Sequence, residues 1–312
     1  MKGIDPFYNQ GLAVPSFTPA TITPSSTPKF ITNFNTGGVA YAYWHSDTEI
    51  KQVLKDSPYT QVDKSSFIAF TNSVIGAIAW ADIATGTLKY IYARSSGGLR
   101  AVPIPLAAGD VEIKAGFNST FDSMPLCIGA DGNLYHGDNS RVGVITSGAG
   151  TSGNAGYFSI DGNFNVRDLI NDGTYLVILA DNNTQTTAGR QVGNYRCKIY
   201  FWDMKKSLAD YVYEVQDSYL IAGQQLDGNI YFFGYNGLYV SNAGTPPKLI
   251  RPFAGFNGLS VAKPTTSYQL VKNKGSLYWI DGLNNSLTNG NIYAYGNPTF
   301  GQSKIFYNPH IN

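Results

Sequence analysis

Gln225-Leu-Asp-Gly-Asn-Ile-Tyr-Phe-Phe-Gly-Tyr-Asn-Gly-Leu-Tyr-Val-Ser241 is the stretch that decides the fold. Asp227-Gly228 and Asn236-Gly237 read as tight turns, because Gly and Asn accept the positive φ that a short hairpin loop imposes. Between them Asn229–Phe233 reads as a strand, and a second strand follows Gly237. From Ile230 to Phe233 every position is apolar, so both faces of that strand need cover. Parallel sheets obtain such cover from helices, but no amphipathic helical pattern of useful length occurs in this chain. Small antiparallel sheets stacked on one another meet the need instead.

The stretch has copies. Asp131-Gly132-Asn133-Leu134-Tyr135 resembles Asp227-Gly228-Asn229-Ile230-Tyr231 closely, and Asp172-Gly173-Thr174-Tyr175-Leu176 and Lys274-Gly275-Ser276-Leu277-Tyr278 are looser versions. Gly37-Gly38 before Val39–Trp44 and Asn72-Ser73 before Val74–Trp80 keep the shape without the Asp-Gly. Six markers from Gly37 to Lys274 set a unit of roughly 47 residues, inside the ~40–50-residue range of propeller blades. The pattern predicts an all-β chain: a single β-propeller over residues 30–312, six-bladed, with five and seven as the alternative counts. Phe30–Phe34 is expected to close the ring by completing the blade that contains Ser303–Tyr307. Phe67–Phe70 is expected as a strand, and Arg100–Leu106 as an edge strand or connection because of Pro103 and Pro105. Gly148–Gly156 reads as a flexible loop, Asp181–Asn194 as a polar surface loop, and Met204–Ala209 as one helical turn.

Residues 1–29 differ from the rest. Pro6, Pro15, Pro19, Pro24 and Pro28 alternate with Ser, Thr and the apolar anchors Ile4, Phe7, Tyr8, Leu12, Val14 and Phe17. That proline density forbids a helix or central strand and favours extended backbone. The aromatic anchors favour an ordered strap docking on a neighbour over a disordered leader.

Composition narrows the function classes. A net charge of +1 provides no basic field for nucleic acid. No apolar run reaches the ~18 residues of a membrane helix. Asp5, Pro6 and Asn9 stand where a secretory h-region would begin, which predicts synthesis in a cytoplasm without secretion. The two cysteines, Cys127 and Cys197, are far apart in apolar settings and are expected as buried free thiols. Charged residues are 14% of the chain, against roughly 25% in ordinary domains, and a surface so weakly self-repelling suits permanent contact with other subunits.

Catalytic and metal signatures are missing. Ser159-Ile160-Asp161-Gly162 approaches a sialidase Asp-box but lacks its spacing and Trp. Asp131, Asp172 and Asp227 recur at one point of the repeat, where a turn role accounts for them. His45, His136 and His310 are not at metal-ligand spacing and are expected at surface or strand-end positions. Asp181-Asn182-Asn183 and Asp281–Asn285 are the calcium-loop candidates, neither matching an EF-hand. Trp44, Trp80, Trp202 and Trp279 are expected in blade cores. No cofactor and no metal are expected. Among 22 tyrosines, Tyr235, Tyr239, Tyr293 and Tyr295 are the candidate contacts for glycan or a protein partner.

The Ile4-Asp5-Pro6-Phe7 opening, the Pro-rich arm and the degenerate Asp-Gly-Asn-x-Tyr repeats together resemble β-propeller proteins of tailed-bacteriophage virions, in connector, tail or spike positions. The resemblance implies a non-catalytic structural subunit of the virion, present in many copies. Its partners would be other virion subunits or copies of itself, with the arm lashing each propeller to its neighbour. The alternatives are a lectin-like propeller that binds host surface glycans and, third, a glycoside hydrolase.

Overall fold

The computed structural model describes residues 30–36, 39–54, 61–70, 72–95, 98–116, 124–151, 154, 156–183, 193–252, 270–273, 275–281 and 291–296. The expected arm, residues 1–29, lies outside them, as do His310 and the expected strand at Ser303–Tyr307.

Twenty-three strands, with a single short 3-10 turn at Ser65–Phe67, form six antiparallel sheets among the described residues. The first comprises β1 (Phe30–Thr36), β2 (Val39–His45), β3 (Ile50–Leu54) and β4 (Gln61–Asp63), and the second β5 (Val74–Asp82), β6 (Thr87–Arg94), β7 (Gly98–Pro103) and β8 (Val111–Ala115). The third holds β9 (Leu126–Ile128), β10 (Leu134–Asp138), β11 (Arg141–Ile145) and β12 (Tyr157–Ser159). The fourth holds β13 (Asn165–Asn171), β14 (Leu176–Asp181), β15 (Cys197–Trp202) and β16 (Tyr211–Val215). The fifth is β17 (Leu220–Leu226), β18 (Asn229–Gly234), β19 (Gly237–Asn242) and β20 (Thr245–Pro252); the sixth is β21 (Val271–Asn273), β22 (Ser276–Asp281) and β23 (Asn291–Gly296).

Each sheet is a meander in chain order, and the first strands pack in succession: β1 on β5, β5 on β9, β9 on β13, β13 on β17, β17 on β21. This is the blade arrangement of a β-propeller. Apolar residues on both faces of the sheets fill the spaces between blades. In β18, Ile230 and Phe232 join a cluster with Val177, Leu179 and Phe201 of the fourth blade, while Phe233 joins Leu270 and Leu277 toward the sixth. All six positions of β14 are buried, with Leu176 and Ile178 facing the third blade and Val177 and Leu179 the fifth. Trp44, Trp80 and Trp202 are buried as expected.

The repeat marker is a glycine in the turn from first to second strand: Gly86 (φ 64°), Gly132 (79°), Gly173 (97°), Gly228 (77°) and Gly275 (76°). Asn72-Ser73 precedes the first strand of its blade, so the true counterpart there is Thr85-Gly86, held by Thr85 Oγ1 and Gly86 N donating to Asp82. With that correction the spacing runs from 41 residues (Gly132 to Gly173) to 55 (Gly173 to Gly228).

Other expectations change. β1 pairs along its length with β2 and belongs to the first blade, because Phe30–Thr36 and Val39–His45 form a continuous hairpin register. Phe67–Phe70 is no strand: Ser65–Phe67 makes the 3-10 turn, and the fourth strand is Gln61–Asp63. β7 is an internal strand between β6 and β8, and Pro103 is tolerated because it lies past the last β8 pair, Ala101 with Val111. Met204–Ala209 forms bends, with Met204 at φ 62°. The hairpin after β18 turns at Tyr235-Asn236, so Gly237 is the first residue of β19, its bare Cα against the Arg251 carbonyl. The loop after Ile145 is pinned by buried Asn154, which accepts from Thr146 N and Ser147 N and donates to Ile113 O, Ser147 O and Gly150 O.

β13 was not legible in the sequence and carries a bulge at Arg167. Arg167 Nε donates to Asp181 Oδ1 at 2.8 Å, and its Nη2 donates to Asn183 O. Asp181 therefore does not belong to a surface loop: it is buried, and its other oxygen accepts Leu220 N of the fifth blade at 3.1 Å. Replacing Asp181 by Ala removes the carboxylate that neutralises a buried guanidinium, a loss on the order of 3–5 kcal/mol. The expected result is a lower urea midpoint with an unchanged denaturant slope; an unshifted midpoint would refute the role assigned to this pair.

Candidate functional site

The carboxylates come first, since glycoside hydrolysis needs a free pair of them. Asp131, in the turn before β10, accepts Asn133 N (3.1 Å), Asn133 Nδ2 (2.7 Å) and Tyr135 OH (2.6 Å). Asp172 accepts Thr174 N and Tyr175 N, and Asp227 sits in its turn at φ 50°. All three occupy the turn between first and second strands, as the repeat predicted. Asp161, from the near-miss Asp-box, accepts Lys198 Nζ and Tyr200 OH, and the Lys198 hydrogen bond holds its carboxyl below the usual range.

Buried carboxylates join blade to blade. Asp82 Oδ2 accepts Gly148 N of the third blade at 2.9 Å; Asp217, just ahead of β17, instead braces its own blade, accepting Ser218 N, Tyr235 N, Asn236 N and Tyr239 OH. Asp168 on β13 accepts Leu169 N (2.9 Å) and, from the fifth blade, Gly223 N (2.8 Å). The residue keeps some exposed surface, but its carboxyl is enclosed, and burial pushes it up to about 7 despite those two donors.

His45 and His136 are both buried; His45 stands at a strand end, as expected, whereas His136 is neither at the surface nor at a strand end. His45 ends β2 with Nδ1 2.9 Å from Tyr90 OH. His136 lies within β10 opposite Gly143, whose missing side chain leaves room for the imidazole. Burial, with the Lys114 charge, lowers it to about 4, so it is neutral at pH 7. Cys127 and Cys197 are buried free thiols, and burial pushes Cys127 up to about 12. Among the described residues no group of three or more His, Cys, Asp or Glu is placed to hold a metal ion. At Asp181-Asn182-Asn183 the Arg167 guanidinium occupies the carboxylate that calcium would need.

The candidate contact tyrosines do not converge. Tyr239 is 4% exposed, stacked on Phe232 at 5.3 Å with its hydroxyl donating to Asp217, so it belongs to the blade core and not to a contact surface. Tyr235 is half-buried beside Tyr219, with ring centroids 5.6 Å apart. Tyr293 and Tyr295 lie in β23, registered against Trp279 and Leu277. The arm anchors Ile4, Phe7, Tyr8, Leu12, Val14 and Phe17 are outside the described residues.

What the structure brings together instead is a cleft of about 540 Å³ between the third and fourth blades. The Asp131–Tyr135 turn, β12 and the segment after Trp202 line it. Its floor is aromatic: Phe158 stacks on Trp202 at 4.3 Å, Tyr135 meets the indole edge-on at 5.8 Å, and Trp202 Nε1 donates to Lys206 O at 2.7 Å. Tyr157, 59% exposed, stands at the rim with the Arg141 guanidinium 4.8 Å from its ring centre. Asn133, Ser159 and Ser207 add polar groups, and Lys205 and Lys206 add charge. In the sequence Asp131 reads as a turn residue and Trp202 as blade core; the convergence of three distant segments is a product of topology.

Solved structures of low identity share this fold. BBS1N, crystallised in complex with ARL6DN, aligns at TM-score 0.53 and 11% identity over 89% of this chain and 81% of its own. The PQQ-bound aldose sugar dehydrogenase of Streptomyces coelicolor aligns at 0.52 and 11% identity over 87% and 94%. The computationally designed Ika8 protein aligns at 0.52 and 11% over 86% and 71%. At this identity the likeness shows the β-propeller fold alone. No protein-family model matches the chain, and no curated protein matches it in sequence.

Asp168 makes a pH prediction with a definite sign. Its folded pKa of about 7 lies above the unfolded ~3.9, so between those values the native state binds the extra proton. Its contribution is therefore fully present at low pH and lost as pH rises toward 7. Relative to Asp168→Asn, the wild type should lose melting temperature between pH 5 and pH 8, reading pH as about those limits. Parallel curves for the two proteins would refute this.

Proposed function

We propose that this chain is a non-catalytic structural subunit of a tailed-bacteriophage particle, in a connector, tail or spike position. The propeller acts as a rigid body, and residues 1–29 tether it to its neighbours through Ile4, Phe7, Tyr8, Leu12, Val14 and Phe17.

The observation that carries the non-catalytic part is the use of Asp82, Asp168, Asp181 and Asp217 as acceptors for backbone N–H groups. Carboxylates so engaged brace the backbone within and between blades and are poorly placed to take protons from a substrate. In favour of assembly is the outer strand of the fourth blade: Val212 is 46% exposed on β16, and Leu208 just before it is 75% exposed. Apolar side chains on an outer edge strand suit contact with another subunit. A second reading, a glycan-binding propeller, is favoured by the cleft at Tyr157 and Trp202.

Deleting residues 1–29 should leave a folded domain by circular dichroism and thermal melting, yet abolish incorporation into particles. Leu208→Glu with Val212→Glu should weaken incorporation without lowering the melting temperature. Normal incorporation of the deletion protein would defeat the tether.

A further inference from the structure

We infer that the cleft between the third and fourth blades binds an acidic saccharide, with Tyr157 as the ring on which the sugar packs and Lys205 and Arg141 as the cations that read its carboxylate. The inference rests on the glycan-binding reading and adds the ligand class.

The cleft's volume of about 540 Å³ falls within the ~300–1,000 Å³ of small-ligand sites. Its aromatic floor is fixed before any ligand arrives, since Trp202 is held by Phe158, by Tyr135 and by its own hydrogen bond to Lys206 O. Tyr157 is different: its ring is mostly in solvent beside that floor, with the Arg141 guanidinium above it. An exposed ring next to short donor–acceptor side chains, here Asn133, Ser159 and Ser207, matches a sugar's combination of C–H face and hydroxyl rim.

Charge selects among sugars. Among the described residues that line the cleft Asp131 is the one carboxylate, and its oxygens already accept three hydrogen bonds from Asn133 and Tyr135. Lys206 is paired with Asp203 and Asp210. Lys205 and Arg141 have no ion-pair partner among the described residues. Lys205 lines the cleft and Arg141 lies over the exposed ring, and a carboxylated sugar offers an anion to both while packing on that ring.

The test uses the full chain and two soluble probes in calorimetric titrations. One is a tetrasaccharide of alternating glucuronic acid and N-acetylglucosamine; the other is the neutral N-acetylglucosamine tetramer. The acidic probe should bind about tenfold more tightly, as expected for one charge-assisted contact. Lys205→Ala and Arg141→Ala should each erode that preference, as should high salt. Tyr157→Ala, at an exposed position, should keep its melting temperature and lose binding of the acidic probe. Equal binding of the two probes, or wild-type affinity in Tyr157→Ala, overturns the acidic-saccharide site while leaving glycan binding in place. Silence with both probes overturns the inference and the glycan-binding reading together, and leaves the assembly role, which is read from particle incorporation, untouched.

Discussion

β14 runs six residues, Leu176 to Asp181, with no side of the strand open to water. β18 is close to that condition, with Ile230, Phe232 and Phe233 buried on alternate faces. A small sheet built on such strands has two apolar faces and, among the described residues, no helix to cover either. Burial of apolar surface drives its neighbours onto both sides, and successive apolar clusters join blades one to six in chain order. The aromatic residues that fill these spaces, Trp80, Tyr90, Phe201, Phe232 and Tyr239 among them, are fixed by the gap between blades.

Apolar packing is non-directional and does not by itself set how one blade sits on the next. The polar contacts between blades do. Val74 N donates to Asp47, Gly148 N to Asp82, Gly223 N to Asp168 and Leu220 N to Asp181. Two of these depend on irregular backbone: the bulge at Arg167 and the register shift between Leu220 and Gly223 reposition groups that a regular ladder would use. An unmet N–H at such a junction would cost about 1–3 kcal/mol, so each acceptor fixes the angle of its blade as well as stabilising it.

The sequence made the fold legible because the repeat's strongest signals are local. Asp-Gly turns and short continuous apolar strands announce themselves within ten residues, and the turn roles of Asp131, Asp172 and Asp227 follow from the same chemistry. Where the backbone is irregular, the sequence misled. Arg167 and Asp168 place two charges in the middle of β13, so the strand shows no apolar run, and the bulge shifts its alternation by one. Thr85-Gly86 lacks the Asp that marks other turns, which moved one repeat boundary a strand too early. Tyr239 looked like surface because it borders Asn236 and Gly237, yet Asp217 and Phe232 draw it inward. The cleft was invisible for a different reason: residues 131–135, 157–159 and 202–207 meet only when the third and fourth blades pack.

The contacts between blades also have a direction. In each of the four, the carboxylate comes earlier in the chain and the N–H it receives comes later. A chain leaving the ribosome thus presents the carboxylate of each of these four contacts before the N–H that it receives is synthesised. Each finished blade becomes a template with polar sites already in position, and the ring can grow by ordered addition from its amino-terminal side. Joining the two ends of this sequence and reopening it between two blades would preserve these four contacts while reversing that order at one junction, separating what holds the blades from what builds them.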